Sequence, residues 1–194
     1  MKHKKVVMLS MFVVFLGLIT AIHYGRVDHI YRTSVALFGL SIPFWLPGIY
    51  KPKGIIRKAL EPIYNWEVMA ILAIFIAIHV SLVNVPFTTI DLFHKEWRDA
   101  DIISHFLGGL TIWLILYTVL REFRIPKKAI LMYSIIMFYV LAIGWEIAEK
   151  LSEGEITFIT ETFQNKVRDV ISDSLGMITG IIWKRREITS YQQS

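Results

Sequence analysis

Six times along this chain an apolar run of seventeen to twenty residues closes on a cluster of charged or turn-forming residues, at 6–23, 33–49, 66–85, 102–120, 129–147 and 167–183. A hydrocarbon core about 30 Å thick is crossed by about 20 helical residues rising about 1.5 Å each. A water-soluble core has no use for so many separate stretches of that length. The pattern therefore predicts an all-α integral membrane helical bundle of six transmembrane helices, read as a single transmembrane domain over residues 1–194. The 55% hydrophobic content and the mean hydropathy of +0.52 agree with it. Pro43 and Pro47 are expected to bend the second helix or to end it early.

Orientation follows from the basic residues. The connections divide into two alternating sets holding fourteen and seven Lys and Arg, the richer set comprising the N-terminus, 51–58, 121–128 and 184–186. Basic loops stay in the cytoplasm, so both termini are expected inside, in the cell (inner) membrane. Trp45, Trp66, Trp145 and Trp183 stand near expected helix ends, where interfacial aromatics belong. The opening Met1-Lys2-His3-Lys4-Lys5 and the run behind it have the look of a signal peptide. The run is long and no small-x-small cleavage site follows, so it reads as an uncleaved first helix.

The same loops account for the net charge of +5 and the pI near 9.4. No basic run is interleaved with aromatics for base stacking, so nucleic acid is not an expected partner and membrane lipid is. The absence of cysteine removes thiolate ligands and leaves oxygen and nitrogen donors. Two connections mix apolar residues with charge and are expected along the membrane surfaces: 54–60 at the inner one and 151–164 at the outer one.

Ionisable residues inside a membrane are costly, and here they come in pairs. Asp101 and His105 stand four apart on the fourth helix, Glu146 and Glu149 three apart on the fifth, Asp169 and Asp173 four apart on the sixth. Each spacing sets both members on one helix face. The topology brings all three pairs to the extracytoplasmic ends of their helices. Counted from the inner basic clusters, His105 lies about 6 Å and Asp173 about 13 Å below the outer boundary. Gly176 and Gly180 continue the stripe of Asp169 and Asp173, and Gly108 and Gly109 follow His105 by one turn. Small residues permit close helix packing, so these acids are expected to face the bundle. His79 comes out at comparable depth and is a further candidate, as are Trp113 and Tyr139 for the lining.

The run Asp101-Ile-Ile-Ser-His105-Phe106, then Glu146-Ile-Ala-Glu149, then Asp169-Val-Ile-Ser-Asp173-Ser-Leu-Gly176 resembles the pattern of the YjdF-like and VanZ-like small inner-membrane proteins. The likeness covers roughly Asp101 to Gly180. The Asp169–Asp173 stretch departs from the VanZ-like form, where an asparagine commonly stands near the second position, and is closer to the YjdF-like one. The resemblance implies a polytopic membrane protein and names no activity.

Carboxylates with one or two imidazoles suit a divalent cation: Mg, Mn, Zn or Fe. Asp101, His105, Glu146, Glu149, Asp169 and Asp173 are the candidate ligands. The competing account is a structural network of partly protonated carboxyls, with Arg168 or Lys150 pairing the shallower acids. Three functions fit the pattern. An enzyme would act at the outer leaflet on a lipid or lipid-linked phosphate, with Asp173 and Glu146 as ligands or general bases and His105 as ligand or proton donor. A carrier would use the acids to couple a cation or protons, although no polar path toward the cytoplasm is visible. A non-catalytic scaffold would need them only for packing.

Overall fold

The computed structural model describes residues 2–83, 100–123, 125–152 and 162–190. Among them there is no strand. The helices are α1 (Lys2–His23), α2 (Val27–Ile49), α3 (Gly54–Tyr64), α4 (Trp66–Ile78), α5 (Ala100–Arg121), α6 (Lys127–Ser152), α7 (Phe163–Trp183) and α8 (Arg185–Ser190), with a π-helical turn, His79–Val83, continuing α4. All six apolar runs are helical where described. The loop holding Asp91, His94, Glu96 and Asp99 lies outside the described residues, as does most of 151–164. By internal contacts the chain forms two units, Met1–Ser104 and His105–Ser194, the division falling within α5.

In the first unit, α1 buries Val7, Ser10, Val14, Gly17 and Ala21, a stripe recurring every three or four residues. The core they share with α4 includes Met69, Ala70, Ala73 and Ala77. The large apolar residues of α1, among them Phe12, Phe15, Ile19 and Ile22, point outward. A water-soluble helix has the opposite order. Lipid tails solvate a phenylalanine as well as a protein core does, so the inward face is chosen for closeness of approach rather than for apolar bulk. At Gly17 the approach is at its limit: a Cβ there would stand 2.9 Å from the Ser81 hydroxyl and 3.7 Å from Thr33 Cγ2.

α2 runs through Pro43 and Pro47 to Ile49, so the prolines do not end it early. Membrane helices tolerate the lost backbone bond because neighbours and local adjustments satisfy the freed carbonyls. α2 also begins at Val27, taking Asp28, His29 and Arg32 into helix that hydropathy alone leaves out. The boundary between α3 and α4 is set by Asn65, whose side chain accepts from the amides of Glu67 (3.0 Å) and Val68 (3.4 Å). The two helices meet there at 60°. Ile55 and Ile56 of α3 are exposed beside Arg57. Above the start of α4, the Lys4 ammonium sits 5.2 Å from the Phe44 ring and 5.5 Å from the Trp66 ring.

The second unit is built on four-residue steps. α6 buries Ile130, Ser134, Phe138, Ala142 and Glu146, while Ile136, Met137, Val140 and Leu141 face out. α5 contributes Leu110, Trp113, Leu114 and Tyr117. The Trp113 indole donates to Ser134 Oγ at 3.1 Å and stacks on Tyr117 at 5.0 Å. α7 buries Asp169, Ser172, Asp173, Gly176, Met177 and Gly180. Its glycines let α5 in: a Cβ on Gly176 would collide with the backbone of Phe106 and Leu110, and one on Gly180 with the Trp113 ring. From the other side, a Cβ on Gly109 would collide with the backbone of Asp173. Beyond α7, Glu187 of α8 binds Arg121 (3.0 Å) and Lys184 (2.8 Å).

Among the described residues three helices, α1, α5 and α6, are long and apolar enough to cross a membrane, and the bent α3–α4 pair makes a fourth if counted as one span. α2 and α7 have 23 and 21 residues, enough length, and fall short in apolarity. This is the make-up of a membrane protein.

Candidate metal centre

The site is carried by α5, α6 and α7 within the second unit. Thr162 starts α7 by accepting from the Asn165 amide at 3.3 Å. From there Asp169 and Asp173 fall one turn apart on the inward face and are 1% and 7% exposed. Glu146 ends the buried stripe of α6 at 6% exposure. His105 of α5 completes the group.

The imidazole of His105 lies between two carboxylates, with Nδ1 3.5 Å from Asp173 Oδ1 and Nε2 4.0 Å from Asp169 Oδ2. His105, Glu146 and Asp173 each offer one ligand atom, and the three atoms lie within 4.8 Å of one another. Donors on one small divalent ion stand about 3 to 3.5 Å apart, given metal–ligand bonds of about 2.1 Å. Side-chain adjustments of about an ångström would close this group on a cation. The cluster could hold a metal ion.

Neither oxygen of Glu146 accepts a hydrogen bond among the described residues. A carboxylate so buried is costly unless a cation meets it. The nearest cation is the Lys166 ammonium, 3.5 Å from Glu146 Oε2, which also donates to Glu149 Oε2 at 3.3 Å. Arg168 Nε stands 3.6 Å from Asp169 Oδ1. Among the described residues, the buried and half-buried ionisable groups at this end of α6 and α7 are Glu146, Glu149, Asp169 and Asp173 with Lys166 and Arg168.

The structure thus brings His105, Glu146 and Asp173 together, with Asp169 against the far side of the imidazole. Glu149 is turned to Lys166 instead. Asp101 is half-buried in the first turn of α5, four residues ahead of His105. His79 is engaged elsewhere, its Nδ1 2.6 Å from Ser104 Oγ in the first unit. Trp113 is fully buried on the path of α7 and Tyr139 is half-buried. Sequence reasoning missed Lys166, counting it with the loop charges. The signal was available: Lys166 stands three residues before Asp169 on the stripe through Asp173, Gly176 and Gly180. Compared with family models, with curated proteins and with solved structures, the chain finds no match.

Proposed function

We propose that this is a six-span inner-membrane protein, both termini in the cytoplasm, that binds a divalent cation through His105, Glu146 and Asp173 near its outer face and uses it on a phosphate-bearing lipid. The observation that carries the reading is the Glu146 carboxylate: buried, without a hydrogen bond, and within reach of a His and an Asp on two other helices. A structural network would satisfy those oxygens with donors; a cation site leaves them for the ion. The six-span count takes α2 and α7 as crossings despite their polar turns. The fourteen-to-seven basic asymmetry supports the orientation. The likeness to YjdF-like proteins is part of the same proposal.

A bound cation would lower the pKa of a coordinated water, to about 7 where the ion is zinc, and polarise a phosphoryl oxygen. Around it, Asp169 holds the His105 ring by the nitrogen turned away from Asp173, as carboxylates hold ligating imidazoles. Asp173, on a carboxylate oxygen not bound to the ion, would accept the proton of that water, while His105, neutral as a ligand, would hold the ion.

The test is metal analysis of the protein purified in nanodiscs without chelator, followed by titration with Mg, Mn, Zn and Ca. About one equivalent of metal, lost in Glu146→Gln, is the expected result. A wild-type protein that carries no metal and gains no thermal stability from any of these ions ends the reading and leaves a packing network.

A further inference from the structure

In the first unit, α3 carries its apolar side outward. Ile55, Ile56, Ala59, Leu60 and Ile63 share one face of Gly54–Tyr64, and Arg57, Lys58 and Glu61 share the other. A helix of a water-soluble protein buries such an apolar face. Here Ile55 and Ile56 are 69% and 51% exposed, Ala59 is exposed, and Leu60 and Ile63 are only half-buried. The C-terminal end is anchored, with Pro62 buried and the Tyr64 hydroxyl donating to the Tyr50 carbonyl at 3.0 Å. α3 meets α4 at 60°, so where α4 stands across a membrane α3 inclines toward its plane. Nor does the crossing need α3. The 13 residues of α4 and the 5 of the π-helical turn rise about 27 Å at about 1.5 Å each, close to a hydrocarbon core of about 30 Å.

The charge at this end is mostly basic. Lys51 and Lys53, which lead into α3, are exposed, as is Arg57. Lys4 lies over the Trp66 ring at the start of α4, which brings the first turn of α1, with Lys2 and Lys5, to the same end. Among the described residues Glu61 and Glu67 stand against them. Glu61 is 3.8 Å from Arg57, whose side chain is 63% exposed, and so open a pair leaves the guanidinium available to other anions.

We propose that α3 lies along the membrane surface with Ile55, Ile56 and Ala59 among the acyl chains, and that Lys51, Lys53 and Arg57 hold anionic phospholipid headgroups there. An exposed apolar face bordered by exposed cations is complementary to an anionic bilayer, whose tails take up the isoleucines and whose phosphates take up the charge. A second copy of the chain seated on this face would set like charges against each other. The proposal goes beyond the metal reading and stands apart from it, since no residue of the second unit takes part. It needs no choice of orientation, only that α4 crosses. Asn65 starts α4 one residue past the end of α3, so a helix held at the headgroups also fixes the depth at which α4 enters.

The experiment uses the full chain in nanodiscs, spin-labelled in turn at Ile55→Cys, Ala59→Cys and Arg57→Cys. The first two labels should relax more with oxygen, which concentrates in lipid, than with a water-borne nickel chelate, and the third the reverse. Relaxation dominated by the chelate at Ile55→Cys and Ala59→Cys puts the face in water and overturns the proposal. Dipolar broadening between copies gives the face to a dimer and overturns it as well. For the headgroups, spin-labelled phosphatidylglycerol and phosphatidylcholine are compared as partners of the unlabelled protein. Phosphatidylglycerol should be preferred, and the preference should fall by about half or more in the combined variant Lys51→Gln, Lys53→Gln, Arg57→Gln. Equal association of the two lipids, or a preference untouched by the three substitutions, overturns the anionic partner and with it the proposal. Should the triple variant not fold, Lys53→Gln with Arg57→Gln decides.

Discussion

The Cβ that Gly109 lacks would fall on the main chain of Asp173. Asp173 is therefore held where the backbones of α5 and α7 meet, and its position depends on a residue with no side chain. Gly109→Ala and Gly176→Ala should each destabilise the protein by about 1–3 kcal/mol, the usual range for overpacking. Gly144→Ala is the control. Nothing lies within 4 Å of a Cβ there, and alanine gains about 0.5–1 kcal/mol in a helix interior. Melting in a single detergent would rank the three. A harmless Gly176→Ala would mean that α7 does not lie against α5.

The two ends of α7 test its crossing. Gln164 at the start of α7 and Arg185, two residues beyond its end, are both exposed. The chain has no cysteine, so single-cysteine labelling is clean. Gln164→Cys should react with an impermeant maleimide in intact cells, and Arg185→Cys only after permeabilisation. Labels on the same side would remove α7 from the list of spans, and the reverse pattern would turn the site to the cytoplasm.

Ligands on three helices act as one unit. Asp173→Asn, Glu146→Gln and His105→Ala should each lower metal affinity by at least tenfold, and the double variant of any two should be little worse than the weaker single. Asp169→Asn, which acts through the His105 ring, should cost less. Simple additivity across all the pairs, read by calorimetry, would show that these residues do not share an ion.

His29 gives a pH dependence away from the site, in the first turn of α2 and ahead of the apolar run 33–49. Its Nε2 accepts from Arg26 at 3.0 Å, and its Nδ1 is buried with no hydrogen bond among the described residues. Burial holds the imidazole below its ordinary 6.5; the Asp28 carboxylate opposes this, and Arg26 and Arg32 add to it. The unfolded chain thus takes up the proton first. Stability contributed by neutral His29 is complete above about pH 6.5 and is lost as the pH falls below it. Between about pH 7 and pH 5 the melting temperature of His29→Gln should fall less than that of wild type. Parallel pH curves would show that His29 is not the group responsible.

The helices and the pairing of the acids were legible because both depend on local spacing: apolar runs near one membrane crossing in length, and carboxylates three or four apart. The boundaries were not. α2 starts six residues before its apolar run and α7 four before, since a helix whose charged first turns find partners pays no penalty for low hydropathy. That extension is what brings Lys166 into the site. The π-helical turn at His79–Val83 left no trace either; its Ser81 lies against Gly17, a contact far apart in sequence.

The inverted order of α1, small residues inward and phenylalanines outward, divides responsibility between its faces. Dispersion falls steeply with distance, so the cohesion of α1 with its neighbours comes from its buried small residues, Val14 packing in one core with Ala70 and Ala73 and Gly17 lying against Ser81 and Thr33. The outer residues govern only which solvent, lipid or detergent, the helix can be dissolved in. Phe12 or Phe15 can be exchanged for leucine with little consequence for the fold, whereas one methyl group added at Gly17 alters the shape that is dissolved.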